Sequence, residues 1–162
     1  MQGIGRYLTV FVFGITVIIV HGCITARELG ADHFMRFRKI GHIPVVEGKI
    51  NGKRAFFIID TGASVSILDE SVAEHFGFRL LYSSEQQIIG FTGLARISPV
   101  KNCIVELGAL TIKNVAFKTR DLNDLAQVIR QHENIEIAGI LGADFFSRYC
   151  IKIDFRRNII SY

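Results

Sequence analysis

Apolar and polar residues alternate from Ile43 to Ile50, break at Asn51-Gly52, and give way to a dense apolar run, Ala55-Phe56-Phe57-Ile58-Ile59. Asn-Gly between apolar strands is a strong hairpin signal because both central turn residues take positive φ. The pattern therefore predicts two antiparallel strands, the second of them buried. Downstream, Asp69 to Gly77 carries an N-cap, acidic residues in its first turn and a glycine stop, which predicts a short helix. Glu85 to Ile97 reads as a second hairpin, with Gly90 and Gly93 on either side of its tip. Strands follow at Ser98 to Leu107 and Leu110 to Phe117. Leu122, Leu125, Val128 and Ile129 recur at helical spacing, so Asp121 to His132 is expected as an amphipathic helix. Ile135 to Leu141 is a last inner strand, Ala143 to Arg148 a helical turn, and Cys150 to Tyr162 a closing hairpin around Arg156-Arg157-Asn158. The expected class is mainly β with short helices.

The front of the chain is different. Leu8 to Val20 is apolar and uncharged, behind the single early charge Arg6. As a helix rising ~1.5 Å per residue, it is shorter than the roughly 30 Å hydrocarbon core of a bilayer, and matches the apolar stretch of an export signal better than a span. Val20-His21-Gly22-Cys23 resembles a bacterial lipoprotein cleavage site, with Cys23 the lipidated residue. A cleaved signal without lipid, or an uncleaved anchor reaching Ile24, are the alternatives. Arg27, Arg36, Arg38 and Lys39 outnumber Arg6, which opposes a retained span with those residues outside. The expectation is an exported or membrane-associated protein of the periplasm or cell envelope. Residues 1–23 would be the leader or anchor, 24–41 a tether, and 42–162 the folded domain.

Composition narrows the chemistry. The 162 residues are 49% apolar with two prolines, thirteen Phe and fifteen Gly, which argues for packed short strands and against disorder. The net charge of +4 is scattered, so nucleic acid is not an expected partner. The five His residues show no paired ligand spacing and the Cys residues no C-x-x-C, so no metal is expected. No G-x-S-x-G context surrounds a serine. Cys103 and Cys150 lie in apolar runs and are expected to be buried free thiols.

One motif stands out. The buried strand ends in Asp60-Thr61-Gly62-Ala63-Ser64, which delivers a carboxylate into a tight turn where backbone and hydroxyl donors can surround it. About thirty residues later comes the glycine-tipped hairpin Ile89-Gly90-Phe91-Thr92-Gly93, and later still Ala138-Gly139-Ile140-Leu141-Gly142-Ala143-Asp144. In that order these segments resemble the retropepsin-like aspartic proteases over roughly residues 42 to 162.

The resemblance implies a single-lobe acid-protease β-barrel that works as a homodimer on peptide or protein substrates without a cofactor. Asp60 would be the catalytic carboxylate, Thr61 would reach across to the partner's loop, and Gly62 would let the two turns approach. Ala63 and Ser64 complete the loop, Ile140, Leu141 and Gly142 would pack under it, and Ile89 to Gly93 would form the substrate-covering flap. Asp144 is expected to be structural, as an acid at the start of a helical turn. Two departures are visible. Ser64 and Ala143 stand where retroviral enzymes carry an acid and an Arg that form an ion pair supporting the dimer, and Ala63 stands where pepsin-like enzymes carry a hydroxyl. A non-catalytic peptide-binding module of the same fold is the rival reading.

Overall fold

The computed structural model describes residues 7–12, 15–20, 33–82, 86–90, 93–113, 117–133 and 135–162; at 7–20, 86–95 and His132 it describes the backbone alone. The strands are β1 (Tyr7–Val12), β2 (Ile15–Val20), β3 (Phe34–Arg36), β4 (Arg38–Ile40), β5 (Ile43–Ile50), β6 (Lys53–Ile59), β7 (Ile67–Asp69) and β8 (Arg79–Leu80). They continue as β9 (Gln86–Gly90), β10 (Gly93–Lys101), β11 (Ile104–Leu107), β12 (Leu110–Lys113), β13 (Lys118–Arg120), β14 (Ile137–Leu141), β15 (Lys152–Asp154) and β16 (Ile159–Ser161). Among the described residues three α-helices, α1 (Ala73–Phe76), α2 (Asn123–Glu133) and α3 (Ala143–Arg148), are interspersed, with a 3-10 turn at Glu70–Val72 leading into α1.

The β5–β6 hairpin forms as its sequence dictates, with Asn51 at φ 49 and Gly52 at φ 80. Asn51 also joins three parts of the fold. Its side-chain amide donates to the carbonyls of Phe76 at 2.9 Å and Asn102 at 2.8 Å, and its oxygen accepts from the Ile104 N–H at 2.9 Å. Away from its turn both faces of the hairpin are covered, which is why β6 reads as a continuous apolar run from Ala55 to Ile59. Val46, Ile50, Ala55, Phe57 and Ile59 enter the main core, whereas Val45 and Ile58 pack with Ile40, Ile129 and Ile137 in a second cluster under α2. Burying a side chain the size of Phe57 contributes about 1.5–3 kcal/mol.

The main sheet runs β12-β11-β5-β6-β14-β7-β13-β10-β8, with β4 alongside β5 and β9 alongside β10. The decisive placement is β14, which lies parallel to β6 and antiparallel to β7, wedged between them. Such a wedge requires close backbone approach. A Cβ at Gly139 would stand 2.3 Å from the Ile67 carbonyl oxygen, so only glycine fits there.

Several expectations are corrected. The apolar run at 8–20, considered above as a helix, is the antiparallel pair β1–β2, in keeping with its Val, Ile, Thr and Phe content. No helix among the described residues is long and apolar enough to cross a membrane. Part of the segment taken as a tether belongs to the fold: β4 pairs with β5, and β3 pairs with β16 in a separate sheet ordered β15-β16-β3. The strand expected at Ser98–Leu107 is two strands, broken where Asn102 turns to φ 57. The thiols differ as well. Cys103 is free and buried, whereas Cys150 is disulfide-bonded, so a Cys103–Cys150 bridge is not made and Cys150 is not a free thiol.

Candidate active site

Asp60 is exposed at the C-terminal end of β6, where the chain leaves the sheet. Its N–H still donates to the Leu141 carbonyl at 3.0 Å, so the strand pairing with β14 extends to the Asp60 amide. The next residues turn tightly. The Ala63 N–H donates to the Asp60 carbonyl at 3.1 Å, and the Gly62 N–H donates to Asp60 Oδ1 at 2.9 Å. A Cβ on Gly62 would come within 3.2 Å of that same oxygen. The turn therefore orients the carboxylate through its own backbone, which is an Asx-type arrangement. Thr61 and Ser64 are exposed beside it, and Ala63 is half-buried.

Underneath lies the β14–α3 junction. Ile140 pairs with Ile58 and Ile67, Leu141 with Ile59, and Gly142 follows as the residue before α3. The Ala143 N–H donates to the Ala63 carbonyl at 2.7 Å. A Cβ on Gly142 would sit 2.7 Å from that carbonyl oxygen, so the loop and the junction touch backbone to backbone. The predicted Asp60 to Ser64 loop and Ile140-Leu141-Gly142 are thus brought together.

The glycine-tipped hairpin is present as β9–β10, with Ile89 opposite Leu94 and Gly90 opposite Gly93. Its tip residues, Phe91 and Thr92, lie outside the described residues. So does Cys23.

A family model described as "Aspartyl protease" matches residues 46–145, a stretch that includes the Asp60 loop, the β9–β10 hairpin and β14. The chain belongs to the aspartyl protease family. Its fold is similar to that of a solved retropepsin-like aspartic protease from Rickettsia conorii, at 18% identity and a TM-score of 0.52, covering 81% of this chain and 92% of that one. The retroviral protease-like domain of Ddi1 from Leishmania major aligns at 21% identity and a TM-score of 0.49, covering 72% of this chain and 84% of that one. No curated protein matches the chain. The fold is retropepsin-like and mainly β.

For an aspartyl protease, the second acid of the local sequence, Asp144, needs a definite role. Its Oδ1 accepts from the Ser66 hydroxyl at 2.6 Å and from the Phe145 N–H at 2.8 Å. Asp144 is thereby engaged inside the loop–junction contact, while Asp60 stands exposed on the loop. Ser66 was not singled out from sequence. It is only 2% exposed, and the sole hint is a polar residue between Val65 and Ile67 in a run that heads into β7. Among the described residues, no cluster of three or more His, Cys, Asp or Glu side chains could hold a metal ion.

Proposed function

We propose that the chain is an aspartic endopeptidase whose catalytic pair is assembled from the Asp60 residues of two identical chains. The observation that carries this reading is the exposed Asp60, fixed at the end of β6 by its pairing with β14, in a chain of the aspartyl protease family. Peptide hydrolysis without a metal or covalent intermediate needs one carboxylate to take a proton from water and one carboxylic acid to polarise the scissile carbonyl. Two Asp60 side chains facing each other across a two-fold axis meet that need. Close carboxyls do not both ionise, so the pair holds one shared proton, and its apparent pKa values belong to the pair.

In this scheme the ionised Asp60 removes a proton as water adds to the carbonyl carbon, and the other Asp60 protonates the carbonyl oxygen. The tetrahedral adduct then collapses: the C–N bond breaks, the amine leaves with a proton, and the pair returns to its singly protonated state. Thr61 and Gly62, exposed on the same loop, are placed to meet the partner's loop, and the β9–β10 hairpin covers an extended peptide. We further propose that the protein is exported, with residues 1–23 directing it to the cell envelope; the disulfide at Cys150 supports this, since such bonds persist in oxidising compartments.

The test is peptide cleavage as a function of protein concentration, with Asp60→Asn alongside. Activity per chain should rise with concentration as dimers form, and the variant should lose at least about a thousandfold in kcat. Cleavage that survives Asp60→Asn in pure protein rejects the reading. Peptide binding without any cleavage by the unaltered chain would favour the non-catalytic module.

A further inference from the structure

The contact between the Asp60 loop and the β14–α3 junction is closed by one side-chain pair. Ser66 Oγ donates to Asp144 Oδ1 at 2.6 Å and accepts the Gly142 N–H at 2.8 Å. The carbonyl of Ser66 accepts from the Lys118 N–H at 3.2 Å, which fixes the serine in the sheet as well. Its hydroxyl is saturated on both sides, and its residue is almost wholly buried. On the opposite flank of the loop, the Asp60 N–H holds Leu141 and the Ala63 carbonyl holds the Ala143 N–H. The turn from Asp60 to Ser66 is therefore pinned at its start, middle and end to three consecutive backbone positions, Leu141, Gly142 and Ala143, and only the last pin uses side chains.

We propose that Ser66 and Asp144 are a positioning pair for Asp60, setting the height of its loop over the junction so that the carboxylate is held where a second chain's Asp60 can meet it. This rests on the endopeptidase reading. The pair touches no substrate and acts through Gly142 and the loop. A catalytic group displaced by about 1 Å can lose a hundredfold in rate, and a loop held to the junction by its two backbone bonds alone, without the Ser66 pin, has that freedom. Removing the hydroxyl also leaves a buried N–H without its acceptor.

The experiment uses the full chain, well above the concentration at which activity per chain saturates. Ser66→Ala is expected to lower kcat by about tenfold or more with KM within about twofold, the signature of a lost transition-state arrangement. Ser66→Thr, which keeps the hydroxyl, should recover most of the rate, and Asp144→Asn, which keeps an acceptor oxygen, should retain more activity than Asp144→Ala. Amide hydrogen exchange supplies a readout independent of turnover: Asp60 and Gly142 should exchange faster in Ser66→Ala while the β5–β6 amides keep their protection. A folded Ser66→Ala with unchanged kcat overturns the proposal. If the unaltered chain cleaves nothing at any concentration, the endopeptidase reading falls, and unchanged exchange at Asp60 in Ser66→Ala then overturns the positioning role as well.

Discussion

Cys103 sits between β10 and β11, just after the turn at Asn102, and is packed among the apolar side chains of the main core. Burial disfavours its thiolate and pushes its pKa from an ordinary 9.0 up to about 12. The unfolded chain would release this proton near pH 9, while the folded chain keeps it to about 12. Between those values the unfolded state binds fewer protons, so this residue's contribution to stability is full below pH 9 and is lost as the pH rises to about 12. Urea unfolding at stepped pH should show that decline, and Cys103→Ala should flatten it; parallel curves for the two proteins would contradict the assignment. Residues also differ in how legible they are. Asp60 could be found because the signal is local: an apolar strand, an acid and a glycine in sequence. Ser66 could not, because its partner Asp144 is 78 residues away and its one local mark, a polar place between Val65 and Ile67, names no role.

Elements with strong internal periodicity were readable, and elements defined by their partners were not. The β5–β6 hairpin, α2 and α3 follow from turn chemistry and spacing, with α2 starting where Asp121 Oδ1 accepts the Asn123 N–H at 2.8 Å. The closing β15–β16 hairpin turns where Asp154 Oδ1 accepts the N–H groups of Arg156 and Arg157, both at 2.9 Å. By contrast, β3, β4, β7 and β13 are three residues each, too short to show a period, and exist because long-range neighbours complete them. This matters most at β3 and β4, which precede the domain start expected near residue 42. Phe37 between them and Ile40 at the end of β4 are each only 5% exposed; Phe37 lies edge-on to Phe155 at 5.7 Å, and its N–H donates to the Asn158 carbonyl at 3.0 Å. A chain starting at His42 loses both buried side chains and uncovers β16 and β5. It should be less stable than one starting at His33 by at least about 3 kcal/mol, the scale of one large core truncation. Urea midpoints of the two chains decide this, and equal midpoints would restore the later boundary.

At the scale of the whole molecule, Asp60 offers one exposed loop carboxylate to a chemistry that needs two, so under the proposed mechanism function is a property of the pair of chains, while stability and location belong to the single chain. The cysteines connect those last two. Cys103 is free in the core, and Cys150, at φ 53 directly beyond α3, is disulfide-bonded. A cross-link at this point restrains the end of the helix whose first turn carries Asp144, and a structural disulfide typically adds about 2–4 kcal/mol through the unfolded state. The bond also reports the compartment: in a reducing cytosol it would be absent, and in an envelope it would persist. Protein recovered from the producing cells under denaturing, non-reducing conditions with a thiol-alkylating reagent present should therefore be alkylated at Cys103 and spared at Cys150, with peptide mapping to read each position. Alkylation at both without reductant would mean that the chain folds and resides where thiols stay reduced. The export proposal would then lose its structural support, whereas the proposed assembly of the active site from two Asp60 loops, which depends on no cysteine, would be untouched.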